Sequence, residues 1–87
     1  MGARGRVQHR GLNLVLAPPA DPVRFSVRLD GEPPGEDRGV DVDASGAGTL
    51  DEPRMYQLVR QRGRVRERLF ELRLEGAGAR AYVFTFG

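Results

Sequence analysis

The sequence contains no cysteine. A disulfide framework, a thiolate metal site, a thiol nucleophile and a CxxC redox motif are therefore excluded within this chain. The absence of cysteine does not assign a compartment. Lysine is absent too, so all 14 basic residues are arginine. A GC-rich source accounts for that usage; selection for bidentate anion contacts is the sharper reading. Tryptophan is missing, which removes one common aromatic plane for stacking on a sugar. No apolar run approaches the roughly 20 residues of a membrane-spanning helix. The basic start MGARGRVQHR is not followed by an apolar h-region. The run GLNLVLAPPA is short and is broken by Asn13, Pro18 and Pro19, so no signal peptide is expected. The charge imbalance is small, at +2. A dedicated nucleic-acid binder usually carries a larger excess.

What is present has a period of two. In VRFSVRLDG, Val23, Phe25, Val27 and Leu29 share one face, and Arg24, Ser26, Arg28 and Asp30 the other. That alternation predicts a half-buried antiparallel strand. LNLVLA places Leu12, Leu14 and Leu16 on one face with Val15 and Ala17 opposite. Two apolar faces predict a central strand. The stretch DGEPPGEDRG reads as a loop. VDV and TL, flanking DASGAG, predict two short strands around a tight turn. MYQLVR predicts a strand with Tyr56 and Leu58 facing one way and Met55, Gln57 and Val59 the other. A turn is expected at Gln61–Gly63, then a strand from about Val65 to Glu75. GAGA predicts a turn, and the final strand sets Tyr82, Phe84 and Phe86 on one face. At 87 residues the chain is expected to form one all-β domain, a sandwich or barrel, with residues 1–6 disordered. Its sheet edges have no obvious cover.

Two constellations invite a functional reading. DVDASGAGTLDE follows much of the EF-hand calcium pattern, with Asp41, Asp43, Ser45, Gly46 and Glu52 at ligand or turn places. Three features oppose calcium: no flanking helix is predicted, Gly48 replaces the usual aliphatic residue, and Pro53 stands where an exiting helix would begin. An acidic hairpin without metal is the preferred expectation. The second constellation is the basic run of Arg54, Arg60, Arg62, Arg64, Arg66 and Arg68. Such runs suit phosphate, but single-strand binders interleave exposed aromatics, and here only Tyr56 and Phe70 lie near. A solvated surface paired with Glu67, Glu71, Glu75 and the Asp and Glu residues of the central loop is the expectation, with a small basic β-domain binding nucleic acid as the alternative. His9, the sole histidine, has no catalytic context, and GAGAR lacks the lysine of a phosphate loop.

The ordered blocks GLNLVLAPP, PVRFSVRLDGEPPG, GVDVDASGAGTLDEPRMYQLVRQ, ERLFEL and AYVFTFG resemble the C-terminal domain that follows a thioredoxin-like domain in bacterial DipZ-type thiol–disulfide interchange proteins. The resemblance spans about Val7 to Gly87. It implies a jelly-roll-like antiparallel β-sandwich similar to carbohydrate-binding modules, acting as an extracytoplasmic accessory to a redox domain. The redox cysteines of the family lie in the thioredoxin-like domain, so no catalytic residue is carried over. In the family, further strand material, usually with a Trp-containing segment, precedes the LNLVL strand. This chain starts almost at that strand. A sandwich lacking N-terminal strands is therefore expected, with an exposed edge and pairing between copies.

The expected function is non-catalytic binding or positioning, with no cofactor and no nucleic acid. The expected partners are a glycan, a cell-envelope component, or the adjacent thioredoxin-like domain. Tyr56, with Gln57 and Arg60 beside it, is the candidate ligand contact, though Tyr56 as a core or capping tyrosine is the preferred reading.

Overall fold

Alternation runs through most of the chain, and its strands pair as nested partners. The computed structural model describes residues 2–18 and 21–75, and the strand Arg80–Phe86 by its backbone. The strands are β1 (Gly2–Val7), β2 (Gly11–Ala17), β3 (Val23–Leu29), β4 (Ala47–Leu50), β5 (Arg54–Arg60), β6 (Arg68–Leu74) and β7 (Arg80–Phe86). A short 3-10 turn, Gly35–Asp37, lies in the loop between β3 and β4. One sheet has the order β1-β6-β3-β4 and the other β5-β2-β7. β1 pairs with β6, β2 with β5 and β3 with β4, all antiparallel. The chain thus folds back on itself as one long hairpin whose arms curl into two sheets. The fold is an all-β, antiparallel, jelly-roll-like sandwich.

The core lies between the sheets. It contains Val7, Leu12, Leu14, Leu16, Phe25, Val27, Leu29, Leu50, Tyr56, Leu58, Val59, Phe70, Leu72 and Leu74, all buried. Burying each such side chain contributes about 1.5–3 kcal/mol relative to leaving it in water. β3 follows its alternation, with Phe25, Val27 and Leu29 inside and Arg24, Ser26 and Arg28 outside. β2 is the central strand of its sheet, between β5 and β7. The DG pair makes a two-residue reversal. Asp30 and Gly31 both have positive φ, 52° and 81°, and Leu29 and Glu32 exchange both backbone hydrogen bonds. Asp-Gly suits that turn because both central residues must tolerate the left-handed region.

Three expectations are corrected. First, residues 1–6 are expected to be disordered, but Gly2–Val7 forms β1, paired with β6 in continuous register from Gly2 with Arg73 to Val7 with Arg68. Val7 is fully buried and anchors the strand, which is the edge strand of the sheet β1-β6-β3-β4. Second, VDV is not a strand. The Val40 N–H bonds the Gln57 side chain, while the Asp41 and Val42 N–H groups go to the Gln57 and Gly39 carbonyls. β4 therefore pairs with β3 instead. Third, β6 begins at Arg68 rather than Val65. The chain before it wraps around Gln61, which is only 1 % exposed. Its Nε2 donates to the carbonyls of His9 at 3.0 Å and Arg66 at 2.8 Å, and its Oε1 accepts the Arg66 N–H at 3.2 Å. With both backbone polar groups of Arg66 taken by one amide, the ladder cannot start earlier. The expected turn at GAGA and the facing of Tyr82, Phe84 and Phe86 lie outside the described residues.

Candidate anion-binding cleft

The site forms around an irregularity in β5. In register with β2, Val59 pairs with Leu12 but Gln57 pairs with Asn13. Leu58 is therefore an extra residue, a β-bulge. In a regular strand Gln57 and Arg60, three positions apart, would face opposite sides. The bulge turns both Leu58 and Val59 inward, each 0 % exposed, and Gln57 and Arg60 then line one cleft on the outside.

The loop after β3 forms the other wall. It lies along the free edge of β5, with the Gly39 N–H on the Leu58 carbonyl at 3.1 Å and the Asp41 N–H on the Gln57 carbonyl at 3.2 Å. A Cβ on Gly39 would sit 2.2 Å from the Gln57 carbonyl oxygen, so this approach requires glycine. The loop supplies the cover that the β5 edge needed. The resulting cleft, about 440 Å³, is lined by Arg38, Gly39, Val40, Val42, Gln57, Arg60 and Arg62. A second hollow beside it, lined by Arg10, Arg60, Gln61, Arg62 and Gly63, shares Arg60 and Arg62.

The arginines here are held without being neutralised. Arg10 donates to the Gln61 carbonyl at 2.6 Å, Arg38 to the Gly35 carbonyl at 2.9 Å, and Arg62 Nε to the Glu36 carbonyl at 2.9 Å. Among the described residues none of these, nor Arg60, forms an ion pair. The adjacent carboxylates are already engaged. Asp37 accepts the Arg62 N–H at 2.7 Å and an Arg68 guanidinium N–H at 3.0 Å. Burial works against the Asp37 charge, but those two donors outweigh it and hold its carboxyl below the ordinary value. Asp41 accepts the Gln57 N–H at 2.7 Å and Arg54 at 3.0 Å. Gln57 uses its Oε1 on the Val40 N–H. Because that partner is a donor, the amide orientation is fixed, and among the described residues no acceptor takes the Nε2 hydrogens, which are left for the cleft. The arrangement offers guanidinium forks and an amide donor, which match the oxygens of a phosphate, sulfate or carboxylate.

Of the expected ligand contacts, Gln57 and Arg60 share this cleft and Tyr56 does not. Tyr56 is 0 % exposed. Its ring stands edge-on to Phe25 at 6.1 Å, with the Arg54 guanidinium 3.8 Å over it. Its hydroxyl accepts the Asp51 and Glu52 N–H groups, each at 3.2 Å, and donates to the Glu52 carbonyl at 2.7 Å. It ties the β4–β5 turn to the core and offers no plane to a ligand. Alternation put Tyr56 inward, and the hydroxyl found partners within the turn.

The calcium pattern resolves into local structure. Asp43 accepts the N–H groups of Ser45 and Ala47 and the Ser45 hydroxyl. The Ser45 hydroxyl, then the Ala47 N–H, hold the Asp43 carboxyl below its ordinary value. Asp41 faces Arg54 and Gln57, and Glu52 lies 3.5 Å from Arg54. Among the described residues no three His, Cys, Asp or Glu side chains gather as a metal site would require. A larger hollow of about 720 Å³ lies where β1 meets β6, lined in part by Arg4, Glu71, Arg73 and Glu75. Its charges are of both signs, so it concentrates neither.

Arg10, Arg38 and Arg62 were not singled out as a group by the sequence, although Arg62 lies in the basic run. β2–β5 pairing, with Gly11 opposite Arg60, brings the first near the run, and the loop on β5 brings the second. No local motif marks either.

A family model described as thioredoxin-like C-terminal domain matches residues 3–87. No curated protein and no solved structure matches the chain.

Proposed function

The chain belongs to the thioredoxin-like C-terminal domain family, and from that membership we propose that it is a non-catalytic accessory module that binds or positions a partner for a thioredoxin-like redox domain. The observation that carries this reading is the family match together with the absence of cysteine from all 87 residues. Thiol–disulfide exchange requires a thiolate, so any such chemistry belongs to another domain. The finer reading follows the resemblance to DipZ-type interchange proteins: an extracytoplasmic module whose partner is an envelope component, a glycan, or the neighbouring redox domain. Fold alone does not select among these. The outward grouping of Gln57 and Arg60 supports a polar ligand.

The experiment is a binding series on the whole chain. It is titrated against a separately produced thioredoxin-like domain and against neutral and acidic envelope polysaccharides. Disulfide reduction and glycan cleavage are assayed in parallel. Saturable binding to one of these partners, with no turnover, is expected. Turnover by this chain alone, or no saturable binding to any of them, overturns the reading.

A further inference from the structure

The arginine surface carries an inference more specific than binding in general, and it rests on the accessory-binding reading. Elsewhere in the molecule the ion-paired arginines meet carboxylates: Arg6 meets Glu67, Arg54 meets Asp41, and Arg68 meets Asp30 and Asp37. At the cleft, Arg10, Arg38 and Arg62 are bonded to carbonyl oxygens. A carbonyl fixes a guanidinium in place and leaves its charge intact. Arg60 sits between the two hollows and lines both. Arg28 is also bonded to a carbonyl, that of Gly31, but the hollow it lines with Arg73 contains Glu71, whereas neither hollow at the cleft is lined by a carboxylate, so positive charge is concentrated there.

We propose that the paired hollows framed by Arg10, Arg38, Arg60 and Arg62 bind two neighbouring oxyanion groups, phosphate or sulfate, of a polyanion that carries no aromatic bases. Two hollows sharing Arg60 and Arg62 make two adjoining seats. Gln57 Nε2 adds a neutral donor to the first seat, and the 85 % exposed Val40 adds an apolar rim. Aromatic bases are disfavoured by the surroundings. Among the described residues every Phe and Tyr is buried: Phe25 at 2 %, Tyr56 at 0 % and Phe70 at 3 % exposure. Base stacking, which contributes about 1–3 kcal/mol per base in single-strand binders, finds no exposed ring among the described residues. The phosphates of a polyphosphate chain and the sulfates of a saccharide share the chemistry that the seats recognise.

The test is calorimetry of the whole chain at low salt with tripolyphosphate, orthophosphate, dextran sulfate, neutral dextran and a thymidine oligonucleotide. Saturable binding of tripolyphosphate or dextran sulfate is expected, at least tenfold tighter than orthophosphate; the stronger of the two identifies the source. The double variant Arg60→Ala, Arg62→Ala should weaken it at least tenfold. Removing the same charge elsewhere, by Arg4→Ala with Arg73→Ala, should change it less than twofold. Arg60→Glu alone repeats the test without touching the Arg62–Glu36 contact, and its melt reports that the fold is kept. Equal losses in the two double variants would mean diffuse attraction and overturn the site. So would orthophosphate binding as tightly as tripolyphosphate, or the oligonucleotide binding tightest. Binding to neutral dextran or to a thioredoxin-like domain, with no response to the anions, leaves the accessory role standing and removes only this site.

Discussion

Arg60 and Arg68 belong to one basic stretch, and the fold gives them opposite surroundings. The Arg68 side chain is 12 % exposed and lies between Asp30 and Asp37. It joins the start of β6 to the Asp30–Gly31 turn and to the 3-10 turn before Arg38. Arg60 meets solvent and, among the described residues, no carboxylate. One arginine closes a network across sequence-distant loops; the other faces a cleft whose neighbouring acids are already occupied. Composition cannot separate the two, because each is an arginine in a polar stretch. The difference lies in which acidic loop passes over each position, and it separates groups that hold the fold from groups left available to a ligand.

The largest expected effect tests the scaffold on which both depend. Gln61→Ala removes the buried amide that bonds the His9 carbonyl and both backbone groups of Arg66. The loss should be about 1–3 kcal/mol, since each lost hydrogen bond contributes about 0.5–1.5 kcal/mol and these part-buried backbone groups recover some of it from water. Urea unfolding measures it, and a loss below about 1 kcal/mol would show that the amide is dispensable. Next comes Arg68→Ala. Its partners are partly exposed, Asp30 at 44 % and Asp37 at 26 %, so screening places the cost between a surface pair and a buried one, about 1–2 kcal/mol.

Acidification sharpens the same contrast. The Leu69 N–H, then the Arg68 guanidinium, hold the Asp30 carboxyl below its ordinary value of 3.8. Asp37 and Asp43 are lowered as well. Folded values below the unfolded ones mean that this stabilisation is complete above the ordinary carboxylate value. It is lost as pH falls through the lowered values. The melting temperature should therefore hold on acidification to about pH 4 and fall below it. In Arg68→Ala the fall should be shallower, because the charged partner of Asp30 and Asp37 is gone. An unchanged acid limb in that variant would contradict the network. The smallest effect is at the other arginine: Arg60→Ala should alter stability by no more than about 0.5 kcal/mol. A larger loss would mean that Arg60 holds structure and would erase the distinction.

Much of the fold was legible from alternation. Val23–Leu29 and Leu12–Leu16 show their buried faces in the bare sequence because a strand's side-chain period is two and burial selects every second residue. The Asp-Gly turn was legible because few residue pairs tolerate its backbone. The expectation of disorder over residues 1–6 fails because MGARGR has little apolar content, while β1 is held by its ladder with β6 and by Val7 rather than by an apolar face. VDV misled for the opposite reason. Its alternation is real, yet Gln57 and Gly39 capture its backbone donors. Gln57 and Arg60 were singled out beside Tyr56 because the three stand close in sequence. The bulge at Leu58, invisible locally, seats the first two in one cleft, while the core takes the third.

The sequence by itself determined the absence of thiol chemistry, the all-β class and most of the buried face, since these depend on residue type and spacing. Tertiary structure alone decided which arginines are neutralised, which carboxylates are already engaged, and that Arg10 and Arg38 reach the same surface as Arg60. Charge pairing is a matter of distances of a few ångströms between residues far apart in the chain. Only the pairing of β2 with β5, and the loop that glycine at position 39 lets lie against β5, set those distances.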